Sequence, residues 1–171
     1  MTKTPNSGSL PGSVLDDALI LLIEDREDDI IIIRKAFERI GLKNSISIAR
    51  NGEEAIQYLD GKGPYADRYK HPLPHLILLD LKMPRVDGFG VLSWVRSQKH
   101  LGGIVVVVLT ISDQIRDVNE AYRLGANSFL IKPDDFQNVA QMSNLFKDYW
   151  LRGNRASGNI PKPPPPLEPL S

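Results

Sequence analysis

The sequence predicts an α/β fold, a doubly wound five-stranded parallel sheet with five flanking helices, and two observations carry that prediction. Short apolar runs alternate with segments of helical period five times along the chain. The first, third and fourth runs (ALILLI, LILL, IVVVVL) are apolar at successive positions, as strands are when both faces are covered. Five βα units in a row imply right-handed crossovers, with helices on both sides of the sheet.

The predicted strands are 18–23, 46–49, 76–79, 104–109 and 128–131. Between the first two, residues 28–40 set Ile30, Ile33, Phe37 and Ile40 on one stripe, with Asp28 and Asp29 in the first turn and Gly41 as the stop. A second helix, 53–60, follows Asn51 as its N-cap, and a third, 89–97, follows the Asp87-Gly88 turn. A fourth, 113–124, comes after Ser112 and presents Ile115, Val118, Ala121 and Tyr122. A fifth, 135–150, presents Phe136, Val139, Ala140, Phe146 and Trp150.

At 171 residues, 42% of them hydrophobic and 25% charged, the chain has the material for one sizeable core and no more than one ordinary domain. Residues 1–17 and 153–171 read as flexible tails, the second ending in PKPPPPLEPLS, which leaves 18–152 as the folded domain. Basic and acidic residues balance at 21 each, so no steering toward nucleic acid or anionic lipid is expected. The absence of cysteine removes disulfides, thiolate nucleophiles and sulfur-ligated metals. No apolar run exceeds six residues and no signal peptide opens the chain, so a cytoplasmic protein is expected.

In open parallel sheets, sites lie at the carboxyl ends of the strands. Here those ends carry Glu24-Asp25 after the first strand, Asp80 after the third, Thr110 after the fourth and Lys132-Pro133 after the fifth. Each alone has an ordinary reading: a lone acid or threonine after a strand is a solvated loop or a helix cap, and Lys-Pro is a turn. Their joint occurrence at four strand ends points to chemistry. Two carboxylates about 5 Å apart repel by roughly 3 kcal/mol at an effective dielectric near 20, so a cation must compensate. An all-oxygen set without His or Cys suits a hard divalent ion, Mg2+ foremost, and such an ion completes its shell with water and phosphate oxygens. Phosphoryl transfer follows as the reaction class, with an aspartate as covalent acceptor. Asp80, supported by the apolar strand LILL, is the best-placed nucleophile, and the Glu24-Asp25 pair is better suited to a metal. Thr110 and Lys132 can hydrogen-bond and neutralise a phosphoryl oxygen. Phe129, taken alone, is a core or sheet-face aromatic, and His71, His75 and His100 lack metal-ligand spacing.

The set formed by Glu24-Asp25, Asp80 in LLDLKMPRVDG, Thr110 in VVVVLT and Lys132-Pro133 in GANSFLIKP resembles the receiver domain of bacterial two-component response regulators over about residues 18–150. That resemblance implies a sheet in the order 2-1-3-4-5 and an Asp80 that accepts a phosphoryl group from a phosphohistidine on a sensor histidine kinase. It implies Mg2+ held by Asp25, Asp80 and the backbone carbonyl of Lys82, with Glu24 acting through water. Thr110 and Phe129 would be the switch pair, Lys132 the phosphoryl contact, and the peptide before Pro133 would be cis. The protein would then be a phosphoacceptor in signalling, catalysing only its own phosphorylation and dephosphorylation.

Two features depart from the common pattern. Ile111 stands after the switch threonine where a small residue is usual, which implies narrower access to the phosphoryl site and slower phosphotransfer or hydrolysis. The segment 61–75 is longer than a minimal receiver requires. With the LKMPRVDG turn and the FKDYWL end, it is similar to stand-alone regulators paired with bacterial phytochromes, many of which are homodimers. After Trp150 about twenty residues remain, too few for a helix-turn-helix output module, so the signal is expected to leave by protein contact near Tyr122, Phe129 and Tyr149. A haloacid dehalogenase type of phosphatase would need an acid two residues after Asp80, where Lys82 stands. A nucleotide or flavin binder would need a glycine-rich loop after the first strand, where ILLIEDRED has none. A degenerate, scaffold-only receiver is disfavoured because the site residues are all present.

Overall fold

The structure is a computed structural model, and it describes residues 18–132, 143, 144 and 146–148. Both expected tails, most of the expected fifth helix, Tyr149, and Pro133 with the cis peptide expected before it lie outside the described residues.

Five strands form one parallel sheet: β1 (Ile20–Ile23), β2 (Ile46–Ala49), β3 (Leu76–Leu79), β4 (Val105–Thr110) and β5 (Ser128–Ile131), in the order β2-β1-β3-β4-β5. This is the order the resemblance implied. Four helices connect them among the described residues: α1 (Glu27–Arg39), α2 (Gly52–Asp60), α3 (Gly88–Ser97) and α4 (Ile115–Arg123). No helix among those residues is long and apolar enough to cross a membrane.

The continuous apolar runs are explained by two cores, one on each face. Leu21, Ile23, Ile77, Leu79 and Val106 pack with Ala55, Leu59, Val91 and Val95 of α2 and α3. Their neighbours in sequence, Ile20, Leu22, Leu76, Leu78 and Val107, point the other way onto Ile30, Ile33 and Phe37 of α1, where Phe146 stacks on Phe37 with ring centroids 5.6 Å apart. Because side chains alternate across a strand, a run with no polar position is what a doubly covered strand needs.

The helix ends hold the strand-end loops in place. Asn51 caps α2 by accepting the Glu54 amide at 2.8 Å, and Asp87 caps α3 by accepting the Gly90 amide at 2.9 Å, as their residue types suggested. Gly41, in the left-handed region at φ 68°, follows α1 at its expected stop. The long segment after α2 is ordered around Arg68, whose guanidinium donates to the carbonyls of Tyr58 and Leu59, both at 2.6 Å, near the carbonyl end of α2. The rings of Tyr58, Tyr65 and His71 cluster beside it. His75 is structural, its Nδ1 accepting the Leu19 amide at 3.1 Å.

One helix departs from the sequence reading. α4 starts at Ile115 and buries Asp117 and Ala121, whereas Ile115 is 73% and Tyr122 49% exposed. Hydrophobic periodicity favoured the wrong stripe because Asp117 is buried with polar partners of its own. Ser112 does not cap this helix: the N-cap is Gln114, without a side-chain bond, and the Ser112 hydroxyl donates to Asp117 instead.

The turn after β3 is tightly packed. Arg85 lies at φ 63°, uncommon for a residue with a side chain, and Gly88 sits so close that a Cβ there would fall 2.2 Å from the Asp80 carbonyl oxygen. Gly88→Ala is therefore expected to cost about 1–3 kcal/mol, because backbone rather than a flexible side chain must move. Urea unfolding checks this, and a midpoint equal to that of the parent would show that the turn yields freely.

Candidate functional site

With β1 between β2 and β3, and β4 and β5 following, the carboxyl ends of β1, β3, β4 and β5 are neighbours. The residues expected to converge do so. One carboxylate oxygen each from Glu24, Asp25 and Asp80 lie within 4.8 Å of one another. Thr110, the last residue of β4, is fully buried, and its carbonyl accepts the Lys132 amide at 2.7 Å, which ties the ends of β4 and β5 together at the site. The Lys132 ammonium reaches Glu24 Oε2, Asp29 Oδ2 at 3.0 Å and Asp80 Oδ2 at 3.3 Å. Asp80 Oδ1 accepts the Lys82 amide at 3.3 Å. Phe129, on β5, is half-buried against Leu81, Val108 and Ala121. Ile111 turns largely to solvent at 60% exposure.

Two side chains that reach the site are not indicated by the sequence pattern. The pattern gives Asp29 only to the charged start of α1, yet its carboxylate pairs with Lys132. The signal was present in the spacing: α1 begins two residues after Asp25, so its first turn stands over the end of β1. Asp117, on the buried stripe of α4, pairs with Lys82 Nζ at 2.9 Å.

The electrostatics follow from burial. Glu24 is fully buried, and loss of solvent pushes its pKa up to about 7 even though Lys132 beside it and the Arg26 amide favour the charged form. For Lys132 the same burial acts downward, but Asp80, Glu24 and Asp29 outweigh it and raise its pKa. Three carboxylates around the one ammonium, with Asp25 clustered beside two of them, leave the site short of positive charge. Asp25 Oδ1, moreover, is buried with no hydrogen-bond partner. A buried, unsatisfied carboxylate oxygen beside two others is what a hard cation would satisfy, so the residues present fit a divalent ion with oxygen ligands.

A pH prediction follows for the metal-free protein. Glu24 has its folded pKa raised from the ordinary 4.5 to about 7, so between these values the folded state binds more protons than the unfolded state. Stability therefore falls as pH rises through that window, by about 3 kcal/mol across it. Glu24→Gln should flatten the dependence. Denaturant unfolding at pH 5 and pH 8 with a chelator tests this, and equal slopes in the two proteins would contradict it.

Comparison with known proteins agrees with this geometry. A family model described as the response regulator receiver domain matches residues 20–144. A probable methanogenesis regulatory protein, FilR2 of Methanothrix harundinacea, is 40% identical over 146 residues, which cover 84% of this chain and 90% of that protein. Response regulator Rcp1 of Synechocystis is 33% identical over 133 residues, covering 78% of this chain and 88% of Rcp1. The crystal structure of its Mn2+-bound form matches with a TM-score of 0.75 at 31% identity, over 82% of this chain and 99% of that one. The phosphorylated cyanobacterial phytochrome response regulator RcpA matches with a TM-score of 0.76 at 32% identity, over 82% of this chain and 98% of RcpA.

Proposed function

The chain belongs to the response regulator receiver family, and from that premise we propose that its receiver domain, residues 18–152, is a switch that takes a phosphoryl group on Asp80 from a sensor histidine kinase. The observation that carries this reading is the position of Asp80: buried, with the Glu24-Asp25 pair on one side and the Lys132 ammonium on the other. No other carboxylate among the described residues has both.

In this reading an Asp80 carboxylate oxygen attacks phosphorus in line, a P–O bond forms as the P–N bond to the kinase histidine breaks, and the ring, already protonated on its other nitrogen, takes the bonding pair and leaves as neutral imidazole. Lys132 is already within reach of Asp80 Oδ2 and neutralises charge on the incoming phosphoryl oxygens. Thr110 supplies its hydroxyl to another of those oxygens, and Phe129, half-buried on the next strand, follows that movement inward. The Lys82 amide keeps the carboxylate oriented. Asp25, Asp80 and the Lys82 carbonyl would hold Mg2+, with Glu24 acting through water. When bound, the ion would supply charge neutralisation at the phosphoryl oxygens.

The protein is then a signalling phosphoacceptor that processes only its own phosphoryl group. It works in the cytoplasm and engages protein partners, not nucleic acid or membrane. The similarity to RcpA, which is named as a phytochrome response regulator, favours a bacterial phytochrome as the kinase. The test is incubation with acetyl phosphate and Mg2+, or with a chelator in its place, followed by intact mass. Gain of one phosphoryl group only with Mg2+ is expected. No gain with a competent donor would overturn the proposal.

A further inference from the structure

Asp117 is where two strand-end loops meet the start of α4. Its carboxylate is almost fully buried, and its Oδ2 takes two ties from different directions: the Lys82 ammonium at 2.9 Å and the Ser112 hydroxyl. Both partners lead directly to the phosphoacceptor site. The Lys82 amide donates to Asp80 Oδ1 at 3.3 Å, and the Ser112 amide donates to Thr110 Oγ1 at 3.5 Å. On its other oxygen Asp117 meets only the exposed Arg116, at 3.7 Å. Hydrogen bonding from Ser112, then from Lys82, holds its carboxyl below the usual aspartate range, so it stands as an anion.

The first turn of α4 depends on this contact. The helix has no side-chain N-cap, and the residues it fully buries are Asp117 and Ala121. Around it Ile111, Ile115 and Tyr122 are exposed. Ala121 anchors the second turn of α4 against Leu81 and Val108, whereas its first turn enters the fold on the charged Asp117 contact, which a change in electrostatics can release.

Resting on the phosphoacceptor reading of Asp80, we infer that Lys82, Ser112 and Asp117 form a latch that holds the first turn of α4 in the unmodified protein, and that phosphorylation of Asp80 opens it. A phosphoryl group places close to two negative charges and three acceptor oxygens beside the Lys82 loop. Lys82 is then shared with a second and stronger anion, and it is half-exposed, so it is free to move. When the Thr110 hydroxyl turns to a phosphoryl oxygen, the long bond from the Ser112 amide is the one given up, and Ser112 carries its hydroxyl away from Asp117. With Lys82 drawn to the phosphoryl group and Ser112 displaced, Asp117 Oδ2 loses both ties and the carboxylate keeps only the long contact from exposed Arg116 to Oδ1. Asp117 then moves toward water and takes the first turn of α4 with it.

Hydrogen exchange by mass spectrometry tests the latch in the full-length protein. In the unmodified parent, amides of 115–121 should exchange slowly. After phosphorylation with acetyl phosphate and Mg2+ they should exchange on the order of tenfold faster, while those of β1 and β3 keep their protection. Asp117→Asn keeps the shape but removes the charge, and Ser112→Ala removes one tie; both should show the faster exchange without phosphorylation. Asp117→Glu should restore part of the protection. A mass gain on Asp80 with unchanged exchange in 115–121 would overturn the latch and leave the phosphoacceptor reading intact. So would full protection of that segment in both unmodified variants. No mass gain in the parent would overturn the phosphoacceptor reading and the trigger with it. Loss of protection in β1 and β3 together with α4 would show a structural role only, and would also overturn the latch.

Discussion

Asp80→Asn is expected to take up no phosphoryl group from acetyl phosphate and Mg2+, while its fold is kept. The reason is chemical: an amide oxygen or nitrogen is too weak a nucleophile to form the mixed anhydride. The structural cost is small because the side chain is isosteric, its oxygen still accepts the Lys82 amide, and Lys132 keeps Glu24 and Asp29 as partners. One of several mutually repelling carboxylates is also lost, so stability in the absence of metal should equal or exceed that of the parent. Intact mass and thermal unfolding check both parts. Modification of this variant to the parent's extent would place the chemistry on another residue.

Lys132→Ala has the second large effect, and it acts on stability as well as on phosphorylation. The ammonium is the cation that compensates Glu24, Asp29 and Asp80 together, and its side chain is 9% exposed. Removing it leaves buried carboxylates without their partner, a change that costs about 3–5 kcal/mol. The loss should be smaller at pH 6 than at pH 8, because Glu24, already raised to about 7, takes up a proton more readily when the ammonium is gone. Mg2+ at millimolar concentration should restore part of the stability by supplying the missing positive charge. Phosphorylation itself should be weakened. Urea midpoints with Mg2+ and with a chelator at the two pH values measure this, and a midpoint unaffected by the substitution would mean that Lys132 contributes nothing to the balance of charge.

The same two residues show how far the sequence was legible. Strand ends announce themselves when the strand is apolar on both faces: LILL stops at Asp80 and VVVVL runs into Thr110, so the polar residue that follows is conspicuous. With parallel topology this sufficed to bring Glu24, Asp25, Asp80, Thr110 and Lys132 to one edge. Capping residues were readable too, because Asn51 and Asp87 act within three residues of themselves. Asp29 and Asp117 were lost for a common reason. Both are acids on helices, and periodicity assigns acids to the solvent face; what pulls them inward is a cation from a distant strand or loop, Lys132 for one and Lys82 for the other. Pairings across such separations have no signature in local pattern. The inward turn of Asp117 also displaced Ile115 and Tyr122 from their expected face to the surface.

The central claim is that the phosphoryl group resides on the carboxylate at the end of β3. Brief phosphorylation followed by borohydride reduction converts an acyl phosphate to the corresponding alcohol, homoserine for an aspartate, and tandem mass spectrometry locates it. Conversion confined to Asp80, and dependent on Mg2+, is the result expected. Conversion at Glu24 or Asp25, or a stable phosphoryl group on a serine, threonine or histidine, would contradict the account.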